Sequence, residues 1–403
     1  MAGGGALVRQ VWLVGGADGG IAGSAILLVA VVPDVARRGR DERQEAPRDQ
    51  EEVDARMGLS MTGRGLRWLS RLAVCLGVLL LVAAPVLRFW ITPVLAQSAL
   101  VPGPDSPLTH MSSGTISTLF DVEGGAAQAE PDPIPVTRTQ TSTGDAAGAE
   151  QAAAAGANAA VTDSTDRTVT ADGRLISELR FRLAADRRTQ ALVSCCGARV
   201  GAIPVTAVGA GSPLRLPWFV PDAVYPYFDL TLLVATQLDP IGTEEVSGIQ
   251  AAKFQQVLAP TPIGPVAAPG ELVGSDAATV TLVRTHSVNR TLWVDPTTGI
   301  ILRKVERVRE ALRDANGDDV LTLLAMTTAS TPEQVDALAA HARQEARPVL
   351  WAHSYGPALG IGLGVLLLGL GLLGVALRTR ALRIDQDFPD VPATFEDLKE
   401  AFD

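Results

Sequence analysis

The side chains best suited to chemistry are few and scattered. Cys195 and Cys196 are adjacent, while the third cysteine, Cys75, sits inside a long apolar run out of reach of both. If the pair lies outside a membrane, where disulfides persist, it forms either a vicinal bridge that stiffens the turn before Gly197 or two buried thiols. The four histidines, His110, His286, His341 and His353, stand singly with no HExxH pairing, and the CxxC spacing of a metal site is absent, so zinc has no ligand set. There is no GxSxG elbow, P-loop or GxGxxG segment, which removes the commonest hydrolase and nucleotide chemistries. A non-catalytic protein without metal or cofactor is expected.

Two segments remain as candidate sites. "LRLPWFVPDAVYPYFD" gathers Trp218, Phe219, Tyr225, Tyr227 and Phe228 in a chain that is only 4% aromatic. Such a cluster makes either the wall of an apolar ligand site or the filling of a thin core. "WVDPTTGIIL" has the composition of a hairpin: Trp293 ahead of the turn, Asp295 and Pro296 opening it, and Gly299 supplying a permissive backbone. No His, Cys or basic residue accompanies Asp295, so this segment reads as scaffold.

The elements that must position these residues follow from hydropathy and charge. Residues 72–87, extended past Arg88 by Phe89, Trp90 and Ile91, make an apolar run of about one bilayer crossing. Arg64, Arg67 and Arg71 precede it and place its N-terminal end in the cytoplasm. A signal peptide cleaved within "VLAQ", which leaves Gln97 as the mature N-terminus, is the alternative to this anchor over 66–96. Ala358–Leu377 carries no charge and is followed by Arg378, Arg380 and Arg383, so it crosses back. Its glycines, Gly360 and Gly364 among them, could admit another helix, such as that of a membrane-protein partner. Both termini are then cytoplasmic.

Residues 1–65 read as a disordered extension or an over-extended start, since Ile21–Val32 is too short to span and Met57 or Met61 stands just before the anchor. Residues 97–165 read as a linker with a low-complexity Ala-rich insert. From 166 to 330 the pattern is β: in "TVTLVRTHSVNRTLWV" Val280, Leu282, Val288, Leu292 and Val294 alternate with polar residues. Arg284, His286 and Arg290 interrupt that face and suggest an opening to solvent. Hairpins are also expected at Asp186–Thr189 and at Asn316–Gly317. Thr331, Pro332 and Gln334 start a juxtamembrane helix over 331–357. The acidic tail, 378–403, places Thr394, Phe395, Leu398 and Phe402 at helical spacing, either for a cytoplasmic partner or as a solvated end.

"DRRTQALVSCCG", "YPYFD" and "LWVDPTTGIILR", in that order between two anchors, resemble the porin PorA family of actinobacterial membrane proteins over about residues 66–378. That resemblance implies an α+β chain with two transmembrane helices flanking an extracytoplasmic β-rich domain, and the family label implies a pore. The aromatic-poor composition is not that of an outer-membrane barrel, which needs aromatic girdles. The strand–turn–strand after Trp293 is also similar to the curved antiparallel sheet of LolA-type and RseB-type envelope domains, a likeness of fold alone. The net charge of −10 has no basic stripe, which excludes nucleic acid as a partner. The expected function is binding of an envelope lipid or lipoglycan. A structural or assembly subunit, or a porin-like channel component, is the alternative.

Overall fold

The computed structural model describes residues 68–98, 108–120 and 133–387. The reading of residues 1–65 and of the end of the tail falls outside them. Two helices are long and apolar enough to cross a membrane: α1, Trp68–Leu95, and the helical run Pro332–Leu377. The second run comprises α3, Pro332–Leu350, a π-helical turn Trp351–Tyr355, and α4, Gly356–Asp387. Thr331 caps α3 by accepting from the Gln334 backbone N–H, as its position predicts. Gln334 does not close a capping box; its Oε1 accepts instead from the Met111 N–H over 3.3 Å and ties the helix to the sheet.

Gly360 and Gly364 face a partner, but it is the chain's own first helix. A Cβ on Gly77 of α1 would come within 2.8 Å of the Gly364 carbonyl oxygen, and one on Gly360 would meet Ala84 at 3.6 Å. Only small residues let two backbones approach this closely. The helix that these two glycines admit is thus one of the same chain.

Between the spans the described strands form one antiparallel sheet. They are β1 Leu108–Leu119, β2 Ile134–Gly144, β3 Ala159–Thr170, β4 Leu175–Asp186, β5 Arg199–Val200, β6 Ile203–Pro204, β7 Tyr225–Asp229, β8 Val234–Val246, β9 Ile249–Pro269, β10 Thr279–Val294, β11 Ile301–Arg313 and β12 Asp319–Ser330. Their order across the sheet is β6-β5-β4-β3-β2-β1-β12-β11-β10-β9-β8-β7. The first strand pairs with the last, so two meanders run outward from the β1/β12 seam. Long strands twist, and the register shifts at Ile116/Thr118, Trp293/Val294 and Glu310/Ala311 add local bends. The sheet consequently curls into a half-barrel. At one end the curl meets itself through isolated bridges, Ala185 with Leu192, Ala191 with Gly211, and Gly211 with Tyr227.

The α+β class and the curved sheet agree with the sequence, but the linker boundary at 165 does not. Residues 108–119, 134–144 and 159–170 are strands, and α2, Ala146–Ala154, packs Gly148, Ala149 and Ala152 onto them. After the buried Ala159, Ala160 and Val161, the buried residues of β3 are Thr162, Ser164, Asp166, Thr168 and Thr170. The alternation is regular, but its inward face is polar, so a search for alternating apolar residues passes over it.

Candidate functional site

The concave side of the half-barrel is lined by charge. Arg138 on β2 pairs bidentately with Asp166 on β3, Nη2 lying 2.6 Å from Oδ2, and its Nη1 donates to Glu306 Oε2 on β11 at 2.7 Å. Arg290 on β10 donates to the other Glu306 oxygen at 2.5 Å and lies 3.5 Å from Asp229 on β7. Lys304 Nζ stands 3.4 Å from Glu306 Oε2. Arg290 also bonds Gln256 and stacks on the Tyr227 ring, 4.9 Å from its centroid. Three cations thus meet three anions in a region where Glu306 is 2% exposed.

The electrostatics follow from that crowding. Burial pushes the Glu306 carboxyl up, but Arg290, Lys304 and Arg138 outweigh it and hold it well below the usual carboxylate range. Burial opposes the charge on Arg138 as well, yet Glu306 and Asp166 keep it firmly protonated. Lys304 is lowered, because burial exceeds the help it receives from Glu306. Tyr227 is pushed up to about 12, chiefly by burial. Removing Glu306 would leave Arg138, Arg290 and Lys304 without the carboxylate they share.

The expected opening to solvent holds at Arg284 but not at His286 and Arg290. His286 and Arg290 are buried. His286 Nδ1 sits 3.3 Å from Glu310 Oε1, and Arg284, which is exposed, pairs with the other oxygen of the same carboxylate.

Beside the charged region lies a cavity of about 110 Å³. Leu108, Ala160, Leu183, Ala185, Leu214, Ile300 and Leu338 supply its apolar wall, and Ser142, Thr162, Gln190 and Ser212 its polar one. Arg215, His341 and Glu345 also line it; Arg215 Nη2 lies 2.8 Å and His341 Nε2 3.0 Å from Glu345. A smaller hollow of about 40 Å³ shares His110 and Leu214 with it and reaches Arg138 and Lys304. Burial, then Lys304 and His341, push the His110 imidazole down to about 4, so it is neutral near pH 7. The cavity lies at the end of the sheet nearest the helices: Ser98, just past α1, exchanges hydrogen bonds with Arg187 at 2.8 Å, and α3 runs on into α4. Among the described residues no group of three or more His, Cys, Asp or Glu is placed to hold a metal ion.

Of the two readings of the five aromatic residues, ligand wall or core filling, the structure places four in core clusters, and none of the five lines the cavity. Trp218 is buried against Ala96 and Val349, under Arg215 at 4.7 Å. Tyr225 and Tyr227 join Leu216, Phe254 and Leu292 in one cluster, and Phe228 joins Phe181 and Leu192 in another. Phe219 is partly exposed and stacks on His353, with the ring centroids 4.5 Å apart. The reason is local: β7 alternates, and a crossing loop, not one strand, carries Trp218 and Phe219.

Cys195 and Cys196 are bridged, with Cys196 and Gly197 both at positive φ. The Cys196 carbonyl accepts from Arg182 Nε at 2.8 Å, which fastens the turn to β4. In the "WVDPTTGIIL" hairpin, Asp295 Oδ2 accepts from the Thr298 N–H at 2.8 Å and from its hydroxyl at 2.6 Å. Trp293 is buried against α3 with Leu302 and Val335, between Lys253 and Arg303. Pro296, Thr297 and Gly299 give their carbonyls to the N–H groups of Val220, Phe219 and Leu216. The two segments singled out in the sequence are thus docked on each other.

Sequence reasoning missed the lattice itself, Arg138, Asp166, Gln256, Lys304 and Glu306, because no spacing rule links residues on four separate strands. The period-2 polar alternation of β2 and β3 was the available signal.

No curated protein matches the chain. The family model described as Porin PorA matches residues 69–373, from the first turn of α1 to the last turns of the second apolar run. With two such helices flanking a curled antiparallel sheet, and a match over most of its length, the chain belongs to the porin PorA family.

Proposed function

We propose that this protein is a non-catalytic binder of an amphiphile in the membrane, holding part of an envelope lipid or lipoglycan in the cavity at the helix-proximal end of its half-barrel. The observation that carries this reading is the cavity itself, apolar from Leu108 to Leu338 on one side and polar toward His110 and Arg138 on the other. At about 110 Å³ it suits a short methylene segment and a polar head rather than a whole acyl chain.

The orientation belongs to the same proposal. Arg64, Arg67 and Arg71 before α1 and Arg378, Arg380 and Arg383 after the second span support cytoplasmic termini and a half-barrel on the opposite side. Arg167, Glu178, Arg180, Arg307 and Arg309 stand exposed on the sheet. A bilayer-spanning barrel carries an apolar band there, so these charges favour a sheet outside the hydrocarbon.

Native mass spectrometry of the full-length protein, released from membranes in mild detergent, tests the binding. Wild type should retain an amphiphile that Ala160→Trp, which fills the cavity, releases. Equal retention by both, or none by wild type supplied with the source membrane's lipids, would overturn the reading. The alternative, a channel component, rests on the family's description; planar-bilayer conductance by the purified protein would favour it. The buried charge lattice across the concave face argues against conduction through the sheet.

A further inference from the structure

The loop between the crossing segment and β7 is held in a strained conformation that turns apolar side chains outward. Phe219 has φ of +54°, a left-handed conformation that a bulky residue rarely adopts. Two hydrogen bonds from the buried turn keep it there: Phe219 N–H to the Thr297 carbonyl at 2.9 Å and Val220 N–H to the Pro296 carbonyl at 2.8 Å. With Trp218 packed inward on Ala96 and Val349, Phe219 is left 37% exposed and Val224 53% exposed.

What lies level with this loop is informative. Phe219 stacks on His353 in the π-helical turn before α4, and Arg88 Nη1 donates to the His353 carbonyl at 2.8 Å from the π-helical turn of α1. At that height both helices expose aromatic residues, Phe89 and Trp90 on α1 and Trp351 and Tyr355 on the second run. Trp68 stands exposed at the other end of α1, about 32 Å away at 1.5 Å per helical residue. That matches the thickness of a bilayer's hydrocarbon core, roughly 30 Å, and aromatic residues gather at its two faces.

We propose that the Phe219–Val224 loop is a third, non-spanning membrane contact, inserting Phe219 and Val224 into the interfacial layer of the lipid leaflet on the half-barrel's side. Lipid is the occupant because the loop continues an aromatic girdle that the two spans already present to the bilayer. Inserted there, it orients the sheet over the leaflet and keeps the cavity next to it. The inference rests on the two helices spanning a bilayer and does not require the cavity to hold a ligand.

The test uses full-length protein in phosphatidylcholine–phosphatidylglycerol vesicles. In a Cys75→Ser background, Phe219→Cys and Val224→Cys are each labelled, without reductant, with an environment-sensitive fluorophore. Asn316→Cys, in the turn at the far end of β11, serves as the aqueous reference, and native Cys75 labelled alone reports the span. Both loop labels should be blue-shifted relative to the Asn316 position, quenched by headgroup nitroxide lipids and protected from iodide. Loop labels quenched by iodide like the reference would overturn the proposal. Labels protected from both quenchers would overturn it too, in favour of a protein contact. Iodide reaching the Cys75 label would show that α1 does not span, and the proposal would fall with it.

Discussion

Arg138 and Glu306 meet at 2.7 Å although the strands that carry them are not neighbours, since β1 and β12 lie between β2 and β11. Neighbouring strands sit about 4.8 Å apart, so on a flat sheet these two backbones would be roughly 14 Å apart. Two long side chains meeting over the concave face act as a chord across the curl. Arg290 to Asp229 makes a second such chord, from β10 to β7 over β9 and β8.

Breaking the chord should cost more than removing it. Glu306→Ala leaves Arg138, Arg290 and Lys304 buried without their shared carboxylate and should destabilise by about 3–5 kcal/mol. The double substitution Arg138→Met with Glu306→Gln should cost less than the sum of the single changes. Denaturant melts over a double-mutant cycle measure the coupling. Additive effects would mean that the pair is not coupled.

Stability should fall on acidification in two stages. His110 has a folded pKa of about 4 against an ordinary 6.5, so the unfolded chain binds its proton more readily and stability drops as the pH falls from 6.5 toward 4. The loss should be at most about 3 kcal/mol. Glu306 and Glu310 are depressed relative to their ordinary 4.5, so their stabilisation is present above that pH and lost below it. Melting temperature against pH should show both stages, and His110→Asn should remove the first while leaving the second.

The hairpin at Asp295 makes an ordered series. Trp293→Ala empties a buried site and should cost about 3–5 kcal/mol. Asp295→Asn keeps an acceptor for Thr298 and should cost about 1 kcal/mol. Gly299→Ala should be far worse than Asp295→Asn, because Gly299 has φ of +76° and a Cβ there would lie 2.0 Å from the Leu216 carbonyl oxygen. Limited proteolysis within 212–224 reads the undocking directly. A Gly299→Ala protein as resistant as wild type would contradict the docking.

Between the spans, Gly364→Leu should separate the helices by inserting a side chain against Gly77 and Leu81. A loss on the order of 1–3 kcal/mol is expected for such overpacking. Disulfide cross-linking between cysteines at Ala84 and Gly360 should be efficient in the parent and lost in Gly364→Leu.

The vicinal bridge predicts thiol chemistry. With the exposed Cys75 replaced by Ser, the folded protein should react with maleimide only after reduction. Labelling of the unreduced protein would show free thiols at Cys195 and Cys196.

The two long apolar helices, the three hairpin turns and the β character of 166–330 follow from local signals. A 20-residue apolar run, an Asp-Pro-Thr-Thr-Gly turn and a period of two are each set by backbone geometry within a few residues, so the sequence by itself determined them. It misread 108–165, where the inward face of β3 is Thr162 to Thr170 and burial is satisfied by ion pairs and hydroxyls instead of hydrocarbon. It likewise grouped Trp218, Phe219, Tyr225, Tyr227 and Phe228 because they are close along the chain. The fold sends them to three clusters and one surface. Only the tertiary structure decided that Arg138, Asp166, Arg290 and Glu306 meet, and that the glycines of the second span pack on the first. Those contacts depend on the curl of a sheet whose first and last strands pair, a non-local closure that no window of neighbouring residues encodes.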